Sequence, residues 1–317
     1  MYIFFIVIGI IIYYLHSYFK SHFWYNFTRT SKKRKFYVGS LNKNIKSKSI
    51  LSNQELIKLE KLYKHYFPNI TINQQKIKNF LNQMPNPLVI YMDMGDTIVA
   101  SVFNSIIDAT YRKEKIRSNF VDYAVVNRLS RHRGLFVDLM NWVSYNSNCN
   151  GVDVIIFKID MHPIPSNIGG YSVVSSYYYI ERDEIGMMDG EVNLYEWKGD
   201  ENKYLSKFLF YAPLDRNILA NNEERITLEC NTTIVNLKWT GENHMEVMYI
   251  LNGDDKNLGV IFGYIKMHYR FKYLVLDDIG DNGLCVDLLN MKKNYDVYHY
   301  MLGMDMRLKK KEFYYYF

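Results

Sequence analysis

A strand that leads into a basic turn and then a helix constrains the fold of this chain more than any other feature. The run at residues 121–151 places an apolar strand first and an amphipathic helix last, and the turn between them holds Arg131, His132, Arg133 and Gly134. Backbone N–H groups and the positive dipole end at a helix N-terminus bind anionic phosphate, and neighbouring arginines add bidentate contacts. The run therefore predicts a phosphate-binding turn on an α/β unit.

Composition indicates a globular protein with two domains. The chain has 317 residues, of which 48% are hydrophobic and 23% charged, and this length accommodates two domains of about 150 residues. A net charge of +6 suits phosphate-bearing ligands or an anionic membrane. Neither a zinc-finger spacing nor an aromatic RNA-binding motif occurs, which argues against a nucleic-acid partner. Cys149, Cys230 and Cys285 are too far apart to indicate a disulfide framework and favour a reducing compartment.

The N-terminus predicts a membrane anchor at residues 1–19. Met1–Leu15 carries no charge and the apolar run continues to Phe19, so about 19 helical residues cross most of a hydrocarbon core of about 30 Å. A cleaved signal peptide would have a basic start and a small-residue cleavage site, and a buried core helix is the other alternative. Basic residues follow at Lys20 and 32–35, which places the body of the protein in the cytosol.

Hydrophobic periodicity predicts a regular order of elements after a basic juxtamembrane linker at residues 20–50. Ser52 and Glu55 form a capping box that opens a helix reaching Phe67. Further elements are predicted as a helix, a hairpin of two strands, a strand, a helix and two strands: Gln75–Met84, Leu88–Asp93, Thr97–Ile107, Phe120–Asn127, Gly134–Asn146, Val152–Lys158 and Tyr171–Ile180. The strand Val152–Lys158 is largely apolar, which predicts a central strand parallel to its neighbour.

The second half predicts a degenerate copy of the same α/β unit. A hairpin of His244–Asn252 and Leu258–Met267 surrounds the turn at Gly253–Asp255, and further elements are a strand, a helix and a strand: Phe271–Asp277, Gly283–Lys292 and Asp296–Met301. The predicted domains are therefore residues 51–185 and residues 186–317.

Several short segments resemble the glycylpeptide N-myristoyltransferase family of the GNAT acyltransferase superfamily. Residues 122–126, Asp-Tyr-Ala-Val-Val, lie where the family has Asn-Phe-Leu-Cys-Val, and Arg131 with Gly134 resembles the Arg-x-x-Gly turn of the superfamily. His162–Pro165 resembles the Leu-Pro-x-Pro segment of the family. Other similar segments are Tyr171, Tyr295–Tyr298 and Phe313–Phe317. Because each segment is short, their order and spacing carry the resemblance.

The resemblance implies an α/β fold of tandem GNAT-like repeats that follow the membrane helix along the chain. It implies a membrane-anchored N-acyltransferase that uses acyl-CoA, chiefly myristoyl-CoA, as co-substrate without a metal. Its partners are glycine-initiated protein N-termini and membrane lipid. Backbone N–H groups of Tyr123 and Ala124 would form the oxyanion hole, and the terminal carboxylate of Phe317 would act as the base. The implied acyl-CoA site consists of Val125, Val126, Arg131, His132, Arg133, Gly134 and Leu135.

Two departures from the family keep other functions open. Val173 and Val174 stand near the position where the family has His-Arg, and this chain stops on its aromatic strand at Phe317. An inactive membrane-bound module that binds acyl-CoA or protein is therefore one alternative, and a short-chain acetyltransferase is another. Asp122 is a candidate for orienting the nucleophile. Neither a Ser-His-Asp nor a metal-ligand spacing is recognisable, so covalent and metal mechanisms have no support in the sequence.

Overall fold

The computed structural model describes residues 36, 38–66, 72–131, 133–161, 173–241, 243–303 and 308–315. The predicted anchor, His132, the Pro-x-Pro segment and Phe317 lie outside these residues. Within the part of the chain that is described, no helix is both long and apolar enough to cross a bilayer.

From residue 53 on, the first half folds in the order that the hydrophobic pattern predicts, whereas Ile45–Lys48, inside the predicted linker, forms a strand that pairs with residues 89–92. Ser52 and Glu55 form the predicted capping box, with Ser52 N donating to Glu55 Oε2 at 2.7 Å and Glu55 N donating to Ser52 Oγ at 3.3 Å. The elements are β1 Ile45–Lys48, α1 Asn53–Tyr66, α2 Gln74–Gln83, β2 Pro87–Asp93, β3 Ile98–Tyr111, β4 Glu114–Val126, α3 Leu135–Cys149, β5 Val154–Asp160 and β6 Val173–Glu181.

The second half contains shorter elements before it repeats the pattern of the first. They are β7 Asn193–Leu194, β8 Phe210–Tyr211, α4 Arg216–Leu219, β9 Arg225–Cys230, β10 Thr233–Trp239, β11 His244–Leu251, α5 Asp255–His268, β12 Tyr273–Asp277, α6 Gly283–Leu288, β13 Lys292–Leu302 and β14 Phe313–Tyr314. The predicted strand at Leu258–Met267 is wrong, because these residues lie in helix α5.

Capping and burial explain why Leu258–Met267 is helical. The Asp254 side chain accepts from Asn257 N at 3.1 Å and starts the helix. This helix is covered on more than one side, and its apolar residues therefore lie on more than one face. A helix without a polar face shows no helical period in its sequence. Gly259 and Gly263 lie directly against Met188, where a Cβ atom would clash.

One mixed sheet runs through both halves, in the order β1-β2-β3-β4-β5-β13-β6-β12-β11-β10-β9-β7. Strands β2 and β3 form the predicted antiparallel hairpin, and β4 is parallel to β5 as predicted, while β4 also pairs antiparallel with β3. Strands β9, β10 and β11 repeat this arrangement, with β11 parallel to β12. Strand β13 lies between β5 and β6, and β6 pairs with β12. Each half thus contributes a strand to the other.

Helices cover both faces of the sheet in the first half. On one face, Leu139 and Val143 of α3 pack with Ile90, whereas on the other face Leu59 of α1 packs with Val89 and its neighbours. Successive side chains of a strand point to opposite faces, so Val89 and Ile90 of β2 face different helices.

Candidate functional site

Strands β4 and β5 separate at one point and leave an opening in the sheet. Their parallel pairing extends from Ser118 with Val154 to Val121 with Phe157 and ends there. We call the opening beyond these pairs, between residues 122–126 of β4 and 158–160 of β5, the first strand gap. Parallel strands that part expose backbone groups that the ladder would otherwise pair.

A β-bulge lies on β4 at the first strand gap. Asp122 pairs with Phe103 and Val125 pairs with Ser101, so two residues of β4 lie opposite the single Val102 of β3. One of the two, Tyr123, has a φ of 49°, which is rare for an aromatic residue. Bulges redirect backbone and side chains beside active sites. The bulge turns Tyr123 and Ala124 toward the gap.

The first strand gap opens into a cleft of about 810 Å³. This volume falls within the range of ligand pockets, roughly 300–1,000 Å³. Its lining includes Tyr63, Phe80, Phe103, Val121, Asp122, Tyr123, Ala124, Phe136, Met140, Phe157, Lys158, Ile159, Asp160, Tyr177, Glu224, Lys238, Trp239, His244, Glu246 and Tyr295. Both halves contribute to the cleft, and its walls combine apolar and charged residues.

The backbone amide of Tyr123 donates to the side chain of its own neighbour. Tyr123 N lies 2.7 Å from Asp122 Oδ1, so a carboxylate oxygen occupies the position that the predicted oxyanion would take. Burial raises the pKa of Asp122, and Lys158 opposes this effect. A ligand oxygen must displace the carboxylate before it can accept from this amide. The Ala124 side chain is exposed and also lines the cleft.

The basic turn adjoins the cleft at the start of helix α3. Gly134 takes the N-cap position with a φ of 75°, where a residue with a side chain is disfavoured, and it provides no side-chain cap to the helix. The Arg131 guanidinium lies 5.5 Å from the centre of the Tyr66 ring, and Arg133 is exposed. Phe136, in the first turn of α3, lines the cleft. The turn and the cleft are therefore contiguous.

The other residues of the predicted acyl-CoA site have packing contacts. Val125 is buried in the cluster beneath helices α1 and α2, whereas Val126 and Leu135 pack against the cluster on the α3 side. Their side chains therefore support the turn and the bulge from below.

The cleft also contains charged side chains that the sequence did not predict as site residues. Lys158 follows the apolar run of β5, Lys238 lies on β10 and Glu246 lies on β11. Burial, with Arg225 nearby, lowers the pKa of Lys238 to about 8. Burial would lower the pKa of Lys158, but surrounding acidic groups, including Tyr315 and Asp122, raise it. A charged residue at the end of an otherwise apolar strand, as at Lys158, is the sequence feature that could have indicated this part of the site.

A serine, a histidine and an aspartate lie close together in the core without forming a catalytic triad. Ser175 Oγ lies 2.7 Å from His299 Nε2, and Asp277 Oδ2 lies 3.5 Å from the same nitrogen, while Tyr315 OH lies 2.8 Å from Nδ1. In a triad the acid binds the nitrogen opposite to the nucleophile. Ser175 and His299 are also fully buried, so this network supports the core.

Comparisons with known proteins identify the fold. No protein-family model matches the sequence, and no curated protein sequence matches it. Among solved structures, Saccharomyces cerevisiae N-myristoyltransferase with bound myristoyl-CoA matches with a TM-score of 0.66 and 10% identity, over 89% of this chain and 84% of that chain. This chain is similar in fold to N-myristoyltransferase.

Two further structures agree with this assignment. A second structure of the yeast N-myristoyltransferase with bound myristoyl-CoA has a TM-score of 0.64 and 12% identity, with 86% of each chain covered. A GCN5-related N-acetyltransferase from Kribbella flavida has a TM-score of 0.50 and 12% identity, over 82% of this chain and 72% of that chain. The predicted resemblance to the N-myristoyltransferase and GNAT fold is confirmed, and at these identities it concerns the fold alone.

Proposed function

We propose that this chain is an acyl-CoA-dependent N-acyltransferase that transfers a myristoyl group to the N-terminal glycine of protein substrates. The observation that carries the proposal is the first strand gap, where a bulged strand opens into a large cleft that begins at an uncapped helix N-terminus. The yeast N-myristoyltransferase with the same fold was solved with bound myristoyl-CoA.

The wall formed by β4, β5 and α3 suits an acyl-CoA. Phosphate groups would bind at the start of α3, where Arg131, Arg133 and the positive end of the helix dipole provide positive potential. Phe136, Met140 and Phe157 give the adjoining wall an apolar surface for the acyl chain. Burying such a chain contributes about 0.8 kcal/mol for each CH₂ group.

Transfer requires stabilisation of the negative charge that develops on the thioester oxygen. The amides of Tyr123 and Ala124 are the candidates for this role, because the bulge places both residues on the cleft wall. One such donor is typically worth about 3 kcal/mol of transition-state stabilisation. The carboxylate of Asp122 would leave the Tyr123 amide when the acyl group binds.

A tether at residues 1–19, followed by a basic linker and with the body in the cytosol, completes the proposal. Acyl-CoA partitions into bilayers and an acylated product gains membrane affinity. A membrane anchor would therefore increase the local concentration of both.

Label transfer by the full chain in lipid vesicles tests this function. Labelled acetyl-, octanoyl- and myristoyl-CoA are supplied with a glycine-initiated peptide, and an alanine-initiated peptide serves as the acceptor control. We expect transfer of the myristoyl group to glycine. Arg131→Ala combined with Arg133→Ala should weaken acyl-CoA binding roughly tenfold, which corresponds to about 1.4 kcal/mol, whereas Arg270→Ala, at an exposed arginine of the second half, should not.

Each alternative gives a different result in this assay. Binding of acyl-CoA without transfer to any peptide would indicate an inactive binding module. Transfer of acetyl groups alone would indicate a short-chain acetyltransferase. Absence of both binding and transfer would refute the proposed function.

A further inference from the structure

Acyl transfer to an amine requires a group in the cleft that removes a proton from the amine. An N-terminal amine has a pKa of about 7.7–8.0 and is largely protonated near neutral pH. A base must remove one proton from the ammonium group before its nitrogen can attack the thioester carbon. The C–N bond then forms, the C–S bond breaks, and the second proton of the nitrogen passes to the departing thiolate of CoA.

In the proposed function, one part of the cleft lining binds the acyl donor and another part meets the acceptor. Strands β4 and β5 with helix α3 form one wall, which we assigned to the acyl-CoA. Residues of the second half also line the cleft, and we call Glu224, Lys238, Trp239, His244 and Glu246 the second-half wall. An acceptor amine that reaches the first strand gap therefore meets the second-half wall.

We propose that the Glu246 carboxylate binds the acceptor ammonium and takes its proton. The inference rests on the proposed function and names a residue that the sequence analysis did not find. Glu246 lies on β11 and lines the large cleft together with two smaller cavities of about 30 and 90 Å³. The large cavity and the 90 Å³ cavity also share Asp122 and Tyr123. Glu246 thus faces the same space as the bulge.

The carboxylate of Glu246 is available for a ligand. Among the described residues, none donates a hydrogen bond to it and no cation lies within 4.0 Å of it. Asp122, by contrast, accepts from the Tyr123 amide, and Asp277 lies against His299. Asp160 and Glu224 line the large cleft without reaching the two smaller cavities.

The surroundings of Glu246 suit a base of this kind. Burial raises the pKa of its carboxyl, while Lys158 and Lys238 oppose the rise. A general base is most effective when its pKa approaches that of the group it deprotonates and the working pH. The cavity of about 30 Å³ beside it is large enough for a water molecule and presents the polar side chains of Asp277 and Asn282.

Glu246→Gln in the full chain tests the proposal, with Glu229→Gln as the matched control. Glu229 belongs to the same half, lies on β9 and pairs with Lys198 at 2.7 Å outside the cleft. Myristoyl-CoA binding is measured by calorimetry, and label transfer to a glycine-initiated peptide is measured from pH 6 to about pH 9.5.

Glu246→Gln should bind myristoyl-CoA as the parent does and transfer roughly 10²–10³-fold more slowly near neutral pH. Its residual rate should rise about tenfold per pH unit up to the pKa of the amine, because only acceptor that is already neutral reacts. The deficit should therefore shrink at high pH, and Glu246→Asp should recover part of the rate. A purely structural role would not produce this pH profile.

The outcomes separate this inference from the proposed function. A parent that transfers the acyl group, together with a Glu246→Gln variant of unchanged rate and pH profile, overturns the role of Glu246 alone. A parent that shows no transfer at all contradicts both proposals. Equal losses in Glu246→Gln and Glu229→Gln also overturn the assignment, because the effect would then be general.

Discussion

The β–α–β units β4-α3-β5 and β11-α5-β12 have the same topology. The gap between the two strands is open in the first unit and filled by a side chain in the second. Strands β11 and β12 pair from His244 with Tyr273 to Val247 with Leu276 and then separate, as β4 and β5 do. We call this opening the second strand gap. The amide of Asn282 fills it, with Nδ2 3.3 Å from Met248 O and 3.2 Å from Asp277 O. The remaining cavity is about 30 Å³, compared with about 810 Å³ at the first gap.

The helices that follow the two gaps also differ at their first turns. Helix α3 begins at Gly134 without a side-chain cap and is preceded by two arginines. Helix α5 begins at Asp254, whose side chain caps the helix, and Asp255 follows. An acidic, capped start repels a phosphate, whereas a basic, uncapped one attracts it. The repeated topology therefore provides two similar frames, and we propose that the residues at each gap decide which frame binds a ligand.

Filling the first gap should abolish the difference between the two units and have the largest effect. Ala124→Trp places an indole in the cleft from an exposed position. We expect more than roughly 100-fold loss of acyl transfer, equivalent to about 2.7 kcal/mol, with an unchanged melting temperature. Lys115→Trp, at an exposed position of the same strand, is the control. Full activity of Ala124→Trp would show that the reaction occurs elsewhere.

Helix α1, which carries Tyr63 of the open cleft, should depend on the ionisation of Glu55. Burial alone would raise the pKa of this carboxyl, but hydrogen bonds from Lys48, Tyr91 and Ser52 lower it to about 2. A lowered pKa stabilises the fold above the unfolded value of 4.5, and this contribution disappears as pH falls from about 4.5 to about 2.

Glu55→Gln should therefore lower the free energy of unfolding at pH 7 by at most about 3 kcal/mol. The difference from the parent should vanish as the pH approaches 2. Urea unfolding between pH 7 and pH 2.5 measures both values. A constant difference across this range would contradict the assigned ionisation.

Removing the hydrogen bonds that Asn282 makes in the second gap should cost stability and leave the first gap intact. Asn282→Leu removes the donor shared by the carbonyls of Met248 and Asp277, which should lower the free energy of unfolding by about 2 kcal/mol. Asn294→Leu, at an exposed position of β13, should change it by less than about 0.5 kcal/mol. Urea unfolding provides the measurement. If the two variants are equally stable, Asn282 does not hold the second gap closed.

Changing the N-cap residues of α3 and α5 should give the smallest effects. These variants test directly whether the two helix N-termini differ in phosphate binding. Gly134→Asp gives α3 an acidic start and should weaken myristoyl-CoA binding roughly tenfold. Asp254→Ala removes the cap of α5 and should cost about 1 kcal/mol of stability, without changing that binding. Calorimetric titration and thermal unfolding follow the two variants. The contrast fails if Asp254→Ala alters binding as much as Gly134→Asp does.

Local patterns predicted the first half well and the second half less well. The capping box at Ser52, the hairpin of β2 and β3, and the helix after the basic turn depend on neighbouring residues, so sequence spacing reveals them. The segment Leu258–Met267 has the apolar content of a strand, and its helical state follows from burial on several sides. The short elements between Asn193 and Leu219 are too brief for a periodic signal.

The sequence by itself determined the strand, basic turn and helix at residues 121–151, because backbone sterics, periodicity and turn chemistry act over a few residues. The tertiary structure decided that Tyr123 lies in a bulge, that Asp122 accepts from its amide, and that Glu246 faces the same cleft from the other half. Glu246 lies more than 120 residues from Asp122. The strand exchange that closes the sheet brings such distant residues together, and no local pattern records that pairing.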